Sequence, residues 1–129
     1  MFKSIRAFSG ISVNDIKKAK KFYTETLGLS TESEEMGLGL LLPGGGRLFI
    51  YEKKDHKPAT YTVLNFVVDN IDKAVDGLTE KGVKFERYEG FPFKQDKKGI
   101  ARGLKSNMGP DIAWFKDPAG NILSVLQDE

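Results

Sequence analysis

The chain has 129 residues, of which 40% are hydrophobic and 29% are charged, and its formal net charge is +2. These values are typical of one ordinary globular domain. Its apolar runs are far shorter than the ~20 residues of a membrane-spanning helix. Its lysines are mixed with acidic residues rather than forming the basic stripe of a nucleic-acid-binding surface. We therefore expect neither a membrane nor a nucleic acid as a partner.

The sequence also limits the chemistry and the location of the protein. It contains no cysteine, which excludes disulfide bonds, cysteine-zinc sites and thiol catalysis. Its first ten residues show no apolar block followed by a small-residue cleavage site, so no secretory signal is predicted. Both observations favour a cytoplasmic location.

The first half of the chain predicts the element order β-α-β-β-β. An alternating run over 5–13 predicts a strand, and Asp15 predicts the N-cap of the helix that follows. Apolar residues then recur at helical spacing up to Gly28, where the helix is expected to end. Three short strands are predicted at about 29–35, 38–42 and 47–53, with residues 43–46 as a hairpin turn.

The second half repeats this order, with Val68-Asp69-Asn70-Ile71 matching Val13-Asn14-Asp15-Ile16 at an offset of 55 residues. It predicts a strand over 62–68, a helix that begins after Asn70 and ends at Gly82, and strands over 83–88, 111–115 and 122–126. Residues 117–121 predict a turn. The chain is therefore predicted to be a single α+β domain, residues 1–129, made of two βαβββ modules at about 1–57 and 58–129.

Two segments stand outside the repeat. Residues 55–60, which contain the single histidine, His56, are the predicted linker between the modules. Residues 89–110 have no counterpart in the first half and are rich in glycine, proline and lysine. A loop of this length is usually functional or mobile, so it is either a lid over a site or a disordered insertion.

These motifs resemble the vicinal oxygen chelate superfamily, which includes glyoxalase I, extradiol dioxygenases, fosfomycin-resistance enzymes and bleomycin-resistance proteins. The resemblance rests on Val13-Asn14-Asp15 before Phe22-Tyr23 and Leu27-Gly28-Leu29, and on the run Trp114-Phe115-Lys116-Asp117-Pro118-Ala119-Gly120-Asn121. It implies two modules whose mixed sheets curl around a cleft, commonly completed in a homodimer. In metal-dependent members of the superfamily, four inward side chains bind a divalent ion that acts as a Lewis acid.

The resemblance places the four metal-binding positions on Phe8, Val63, Ser124 and, to within one residue of register, Ile50. A divalent ion of this kind requires imidazole and carboxylate ligands, which none of these residues carries. Glu52 lies on the same strand face as Ile50, but it is a single carboxylate. Metal-dependent chemistry is therefore not expected, and no cofactor or catalytic residue is predicted.

The leading hypothesis is a metal-free protein that binds a small, partly apolar molecule, neutral or anionic because the chain is slightly basic. The candidate binding residues are Phe8, Ile50, Val63, Ser124, Glu52, Trp114 and Arg102. Arg102 is expected to meet an anionic group and to cover the site together with Phe91 and Phe93. Two alternatives stay open, a lyase or dioxygenase with a relocated metal site and a dimeric module with a vestigial cleft.

Overall fold

The computed structural model of the protein describes residues 1–89 and 94–129. The chain divides into two compact units, Met1–Pro58 and Ala59–Glu129. Each unit contains one four-stranded mixed sheet with a helix packed against it. The predicted α+β class is therefore confirmed. In the described part of the chain, no helix has the length and apolar character needed to cross a membrane.

The first unit follows the predicted element order. It contains β1 (Ser9–Val13), α1 (Ile16–Lys21) with a π-helical continuation (Phe22–Thr26), β2 (Thr31–Glu34), β3 (Gly37–Leu41) and β4 (Arg47–Glu52). The strand order in the sheet is β1-β4-β3-β2, with β1 parallel to β4 and the other pairs antiparallel. The first strand begins at Ser9 rather than at residue 5.

The second unit has the same topology. It contains β5 (Thr62–Val67), α2 (Ile71–Glu80), β6 (Ala101–Arg102), β7 (Asp111–Lys116) and β8 (Ile122–Gln127), with a 3₁₀ turn at Leu104–Ser106. The strand order is β5-β8-β7-β6, with β5 parallel to β8. Each unit therefore places its first strand beside its last strand.

Both helices begin at the predicted N-caps. The Asp15 carboxylate accepts the backbone N–H groups of Lys17 and Lys18 at 3.1 and 3.2 Å. The Asn70 side chain accepts the N–H of Lys73 at 3.0 Å. These bonds satisfy N–H groups of the first turn that have no partner within the helix.

The predicted strand over 83–88 is wrong, because the edge strand β6 comes instead from the 89–110 loop. Ala101 and Arg102 pair with Ile112 and Asp111 of β7 and take that part of the sheet edge. Residues 83–88 run beside the same strand without joining the sheet. The N–H of Glu86 donates to the Trp114 carbonyl at 2.8 Å, and the side chain of Glu86 pairs with Lys116.

The core of each unit lies between its sheet and its helix. Alternate residues of each strand point to the helix, as expected for pleated strands. In the first unit the buried set is Val13, Ala19, Tyr23, Leu38, Leu40, Leu48 and Ile50, and in the second it includes Ile71, Val75, Ala113, Phe115, Leu123 and Val125. The remaining strand positions lie on the face turned away from the helix, which we call the distal face of each sheet.

Candidate functional site

The distal face of the first sheet carries a row of three aromatic rings. Phe8 and Phe49 meet edge to face with ring centroids 6.5 Å apart, and Phe49 stacks on Tyr51 at 5.7 Å. Phe8 is 62% exposed, and the other two rings are half-buried. The row therefore offers aromatic surface to solvent at the end formed by Phe8.

Two glycines of β3 make room for the side chains of this face. A Cβ atom on Gly37 would lie 3.0 Å from the Phe49 ring and 2.3 Å from the carbonyl oxygen of Ile50. A Cβ atom on Gly39 would lie 2.6 Å from Nη2 of Arg47. The absence of side chains at Gly37 and Gly39 thus allows the ring and the guanidinium group to lie directly on the sheet.

A charged group borders the aromatic row. Arg47 donates to Glu32 at 2.6 Å and to Glu34 at 3.3 Å. The hydrogen bond with Glu32, followed by the negative charges of both carboxylates, raises the pKa of Arg47. Because Arg47 is already paired, this part of the face offers a closed ion-pair cluster rather than an unpaired cation.

His56, in the predicted linker, contacts the first sheet. Nδ1 of His56 lies 2.6 Å from Oγ of Ser12 in β1, and the N–H of His56 donates to the carbonyl of Lys53 at 3.1 Å. These bonds hold the end of the first unit against its own sheet. Nothing in the local sequence pairs Ser12 with His56, since 44 residues separate them.

The distal face of the second sheet is centred on Trp114 and Ser124, which are register partners on β7 and β8. Oγ of Ser124, a fully buried residue, donates to Oδ1 of Asn65 at 2.5 Å. Nε1 of Trp114 donates to Oγ1 of Thr62 at 3.1 Å. An apolar cluster surrounds Trp114 and is formed by Ala101, Ile122, Ile112 and Tyr88.

The strand register corrects Ile50 to Phe49 as the counterpart of Ser124. Gly10 pairs with Phe49 in the first unit, and Asn65, its repeat equivalent, pairs with Ser124 in the second. Ile50 is instead fully buried on the helix side. Phe49 and Ser124 are each the third residue of their strands, and Phe49 lies within the one residue of register allowed for Ile50.

Glu52 caps the start of α1 and does not contribute to the distal face. Its carboxylate accepts the N–H of Ile16 at 3.0 Å. Gln127 does the same for Ile71 at 3.0 Å in the second unit. This matched pair of caps, at the ends of β4 and β8, independently supports the register in which Phe49 corresponds to Ser124.

Arg102 also lies away from the distal face. Its guanidinium group donates twice to Asp72, at 2.8 and 3.0 Å, and once to Asp96, at 3.1 Å. A third carboxylate, of Asp111, is 3.7 Å away. The hydrogen bond from Arg102 lowers the pKa of Asp72 to about 2. Arg102 is therefore saturated by acidic groups and is not available to an anionic ligand.

The other predicted positions divide into three cases. Phe8 lies on the distal face of the first unit, and Ser124 and Trp114 lie together on the distal face of the second. Val63 is half-buried at a register shift in β5, where it has no partner in β8. Phe91 and Phe93, the predicted cover, lie outside the described residues.

The residues at the four mapped positions do not fit a divalent metal ion. With the corrected register they are Phe8, Phe49, Val63 and Ser124, of which only serine offers an oxygen, and that oxygen is bound to Asn65. Within 1–89 and 94–129, no three histidine, aspartate or glutamate side chains are grouped so as to hold a metal ion.

A shallow depression of about 420 Å³ lies on the helix side of the second unit. Its rim includes Arg87 and Lys98, both of which are already engaged. Arg87 donates to the carbonyls of Asp96 and Lys97, and Lys98 pairs with Asp72 and Asp76. We interpret the depression as the seam where the loop after α2 packs on that helix.

Comparison with known proteins identifies the family. The sequence model of the Glyoxalase/Bleomycin resistance protein/Dioxygenase superfamily matches residues 5–125. The chain belongs to this superfamily. It is also 30% identical to the uncharacterized protein YraH of Bacillus subtilis (strain 168) over 130 residues, which cover 89% of this chain and 91% of that protein.

Solved structures with the same fold cover nearly the whole chain. The fosfomycin resistance protein FosX from Listeria monocytogenes has a TM-score of 0.69 and 15% identity, over 98% of this chain and 94% of that one. TnmS3, an antibiotic binding protein from Streptomyces sp. CB03234, has a TM-score of 0.66 and 24% identity, over 98% of both chains. These likenesses establish the fold of this protein.

Proposed function

We propose that this protein binds a small, uncharged and partly apolar molecule without a metal ion, using the distal faces of its sheets. The observation that carries the proposal is the aromatic row of Phe8, Phe49 and Tyr51. The resemblance places metal ligands at two of these positions, and here aromatic carbon replaces them. An antibiotic-binding protein with the same fold, TnmS3, supports this use of the fold. The cysteine-free sequence supports a cytoplasmic setting.

The chemistry of the row indicates what it can bind. Small-molecule sites are mainly apolar and use a few polar groups for orientation. Stacked or edge-to-face aromatic pairs contribute about 0.5–1.5 kcal/mol beyond the burial of their surface. The nearby cation Arg47 is paired with Glu32 and Glu34, and Arg102 is saturated. An uncharged ligand with a planar apolar part therefore fits the face better than an anion does.

A fragment screen by two-dimensional NMR tests the proposal. We expect shifts that concentrate on Phe8, Phe49 and Tyr51 or on the Trp114 face, and a loss of the first group in Phe8→Ala. The matched control is Phe2→Ala, which removes an equally large and exposed ring at 73% exposure. Shifts scattered over the surface, or shifts at Phe8, Phe49 and Tyr51 that the two variants weaken equally, would contradict the proposal.

We also propose that the protein forms a homodimer. Dimerisation alone, without ligand binding, is the competing function. Val67 on the distal side of β5 is 63% exposed, and exposed apolar surface on a sheet often marks a protein interface. A second copy that covers the distal face of either unit would explain the exposure of Phe8 or of Val67 without any ligand. Sedimentation of the wild type and of Val67→Asp distinguishes the cases. Loss of the dimer in the variant together with an empty fragment screen favours the purely dimeric module.

A further inference from the structure

The hydroxyl group of Tyr88 is buried and has no hydrogen-bond partner. Among the residues that the structure describes, it is the one buried side-chain polar atom in this condition. Buried polar groups in native proteins are nearly always hydrogen-bonded, so each exception needs an explanation. A donor held in place for a ligand is one such explanation.

The position of Tyr88 is fixed by Gln95. Oε1 of Gln95 accepts the N–H of Tyr88 at 2.8 Å, and its Nε2 donates to the carbonyls of Glu86 and Gly99 at 2.9 and 2.7 Å. One amide group thus ties the backbone at Glu86 and Tyr88 to the carbonyl of Gly99. The backbone from which the Tyr88 ring projects is therefore held in place.

The surroundings of Tyr88 are aromatic and apolar. Its ring meets Trp114 edge to face, with centroids 5.4 Å apart, and it packs on the cluster of Ala101, Ile122 and Ile112. The polar groups nearby on this face are already bonded, Ser124 to Asn65 and the Trp114 indole to Thr62. Among these described polar groups, the Tyr88 hydroxyl is therefore the one without a hydrogen-bond partner, and it lies on a surface that is otherwise aromatic and apolar.

The same surroundings indicate which kind of hydrogen-bond acceptor fits the Tyr88 hydroxyl. Burial first, and the negative charge of Glu86 second, raise the pKa of Tyr88, so the group remains a protonated donor at neutral pH. An apolar wall near Glu86 also disfavours an anionic partner, since a buried charge requires a counter-charge. The acceptor that fits is an uncharged oxygen on an aromatic molecule.

We propose that Tyr88 is the polar anchor of the ligand site on the second distal face, where its hydroxyl donates to the carbonyl oxygen of an uncharged aromatic ligand. The inference rests on the proposed function and adds the class of ligand and the residue that selects it. In the ligand-free protein the unpartnered hydroxyl lowers the stability of the folded state. A hydrogen bond to the carbonyl of a bound ligand removes this cost.

Acetophenone and α-methylstyrene form a matched pair of probes, because a CH₂ group replaces the carbonyl oxygen with little change of shape. NMR titration of the wild type is expected to give about tenfold tighter binding of acetophenone, with shifts at Trp114. In Tyr88→Phe this preference is expected to disappear. The control Tyr61→Phe, which removes the hydroxyl of a ring that is 69% exposed, should keep it.

A second readout needs no ligand. Tyr88→Phe should raise the melting temperature of the free protein by about 2–5 °C, because it removes an unsatisfied buried hydroxyl. Tyr61→Phe should leave it unchanged. Equal affinity of the wild type for the two probes, or a lowered melting temperature in Tyr88→Phe, overturns the inference. Neither result affects the proposed function, which the fragment screen with Phe8→Ala tests separately.

Discussion

The substitution Asp72→Asn removes the strongest partner of Arg102 while keeping the shape of the side chain. The Asp72 pKa is lowered from 3.8 to about 2, mainly by the hydrogen bond from Arg102. One pKa unit corresponds to about 1.4 kcal/mol, which gives an upper limit of about 2.5 kcal/mol for this carboxylate. Since the Asp72 side chain is 44% exposed, solvent screening reduces the expected loss of unfolding free energy to about 1 kcal/mol at pH 7.

The pH dependence of that loss follows from the direction of the shift. A depressed carboxyl pKa stabilises the folded state above the unfolded pKa near 3.8, and the stabilisation disappears as the pH falls through about 2. The difference between the wild type and Asp72→Asn should therefore shrink between pH 4 and pH 2. It should also shrink in high salt, because partly exposed charges are screened.

Urea denaturation at several pH values measures this difference. The control is Asp128→Asn, which removes an exposed carboxylate near the C-terminus and should leave the unfolding free energy unchanged. Equal stability of Asp72→Asn and the wild type at pH 7 would refute the reasoning. So would a difference that stays constant down to pH 2, because it would not come from the ionised carboxylate.

Three further substitutions test the packing and the caps. Gly37→Ala should destabilise by about 2 kcal/mol, since its Cβ atom would collide with the Ile50 carbonyl at 2.3 Å. Gly77→Ala, in α2 with open space around the added atom, should stabilise by about 0.5–1 kcal/mol, and thermal unfolding of both variants checks the pair. Gln127→Ala should cost about 1 kcal/mol by leaving the N–H of Ile71 without its acceptor, which urea denaturation measures; an unchanged midpoint would contradict the capping role.

The repeat made much of the fold predictable. Asp15 and Asn70 marked both helix starts because a capping side chain acts on its own next few residues. The 117–121 turn is equally local, since the Asp117 carboxylate accepts the N–H groups of Ala119 and Asn121 at 2.9 Å. Features of this kind depend on neighbours in the sequence, so the sequence alone is enough to find them.

Features that depend on distant partners were not predictable in the same way. Residues 83–88 have strand-like composition, but Ala101 and Arg102 pair with the edge of β7 instead. Nothing in the local sequence shows that α2 brings Asp72 to Arg102. The pairing of Arg102 with the protein's own carboxylates, instead of with a ligand, could therefore not be predicted. The repeat itself carried one signal for the candidate site, because Glu52 and Gln127 each follow the mapped strand position by three residues when that position is Phe49 or Ser124. Pairing Glu52 with Gln127 as equivalent caps would have identified Phe49 instead of Ile50.

The central claim is that the distal faces bind a small molecule through apolar contact and without a metal ion. The most direct test is an NMR titration of the wild type with a hit from the fragment screen, performed with EDTA and again with added Zn²⁺. Metal-free binding on the distal faces should give the same dissociation constant in both conditions and shifts at Phe8, Phe49 and Tyr51 or at Trp114. Binding that disappears with EDTA and returns with Zn²⁺ would contradict it.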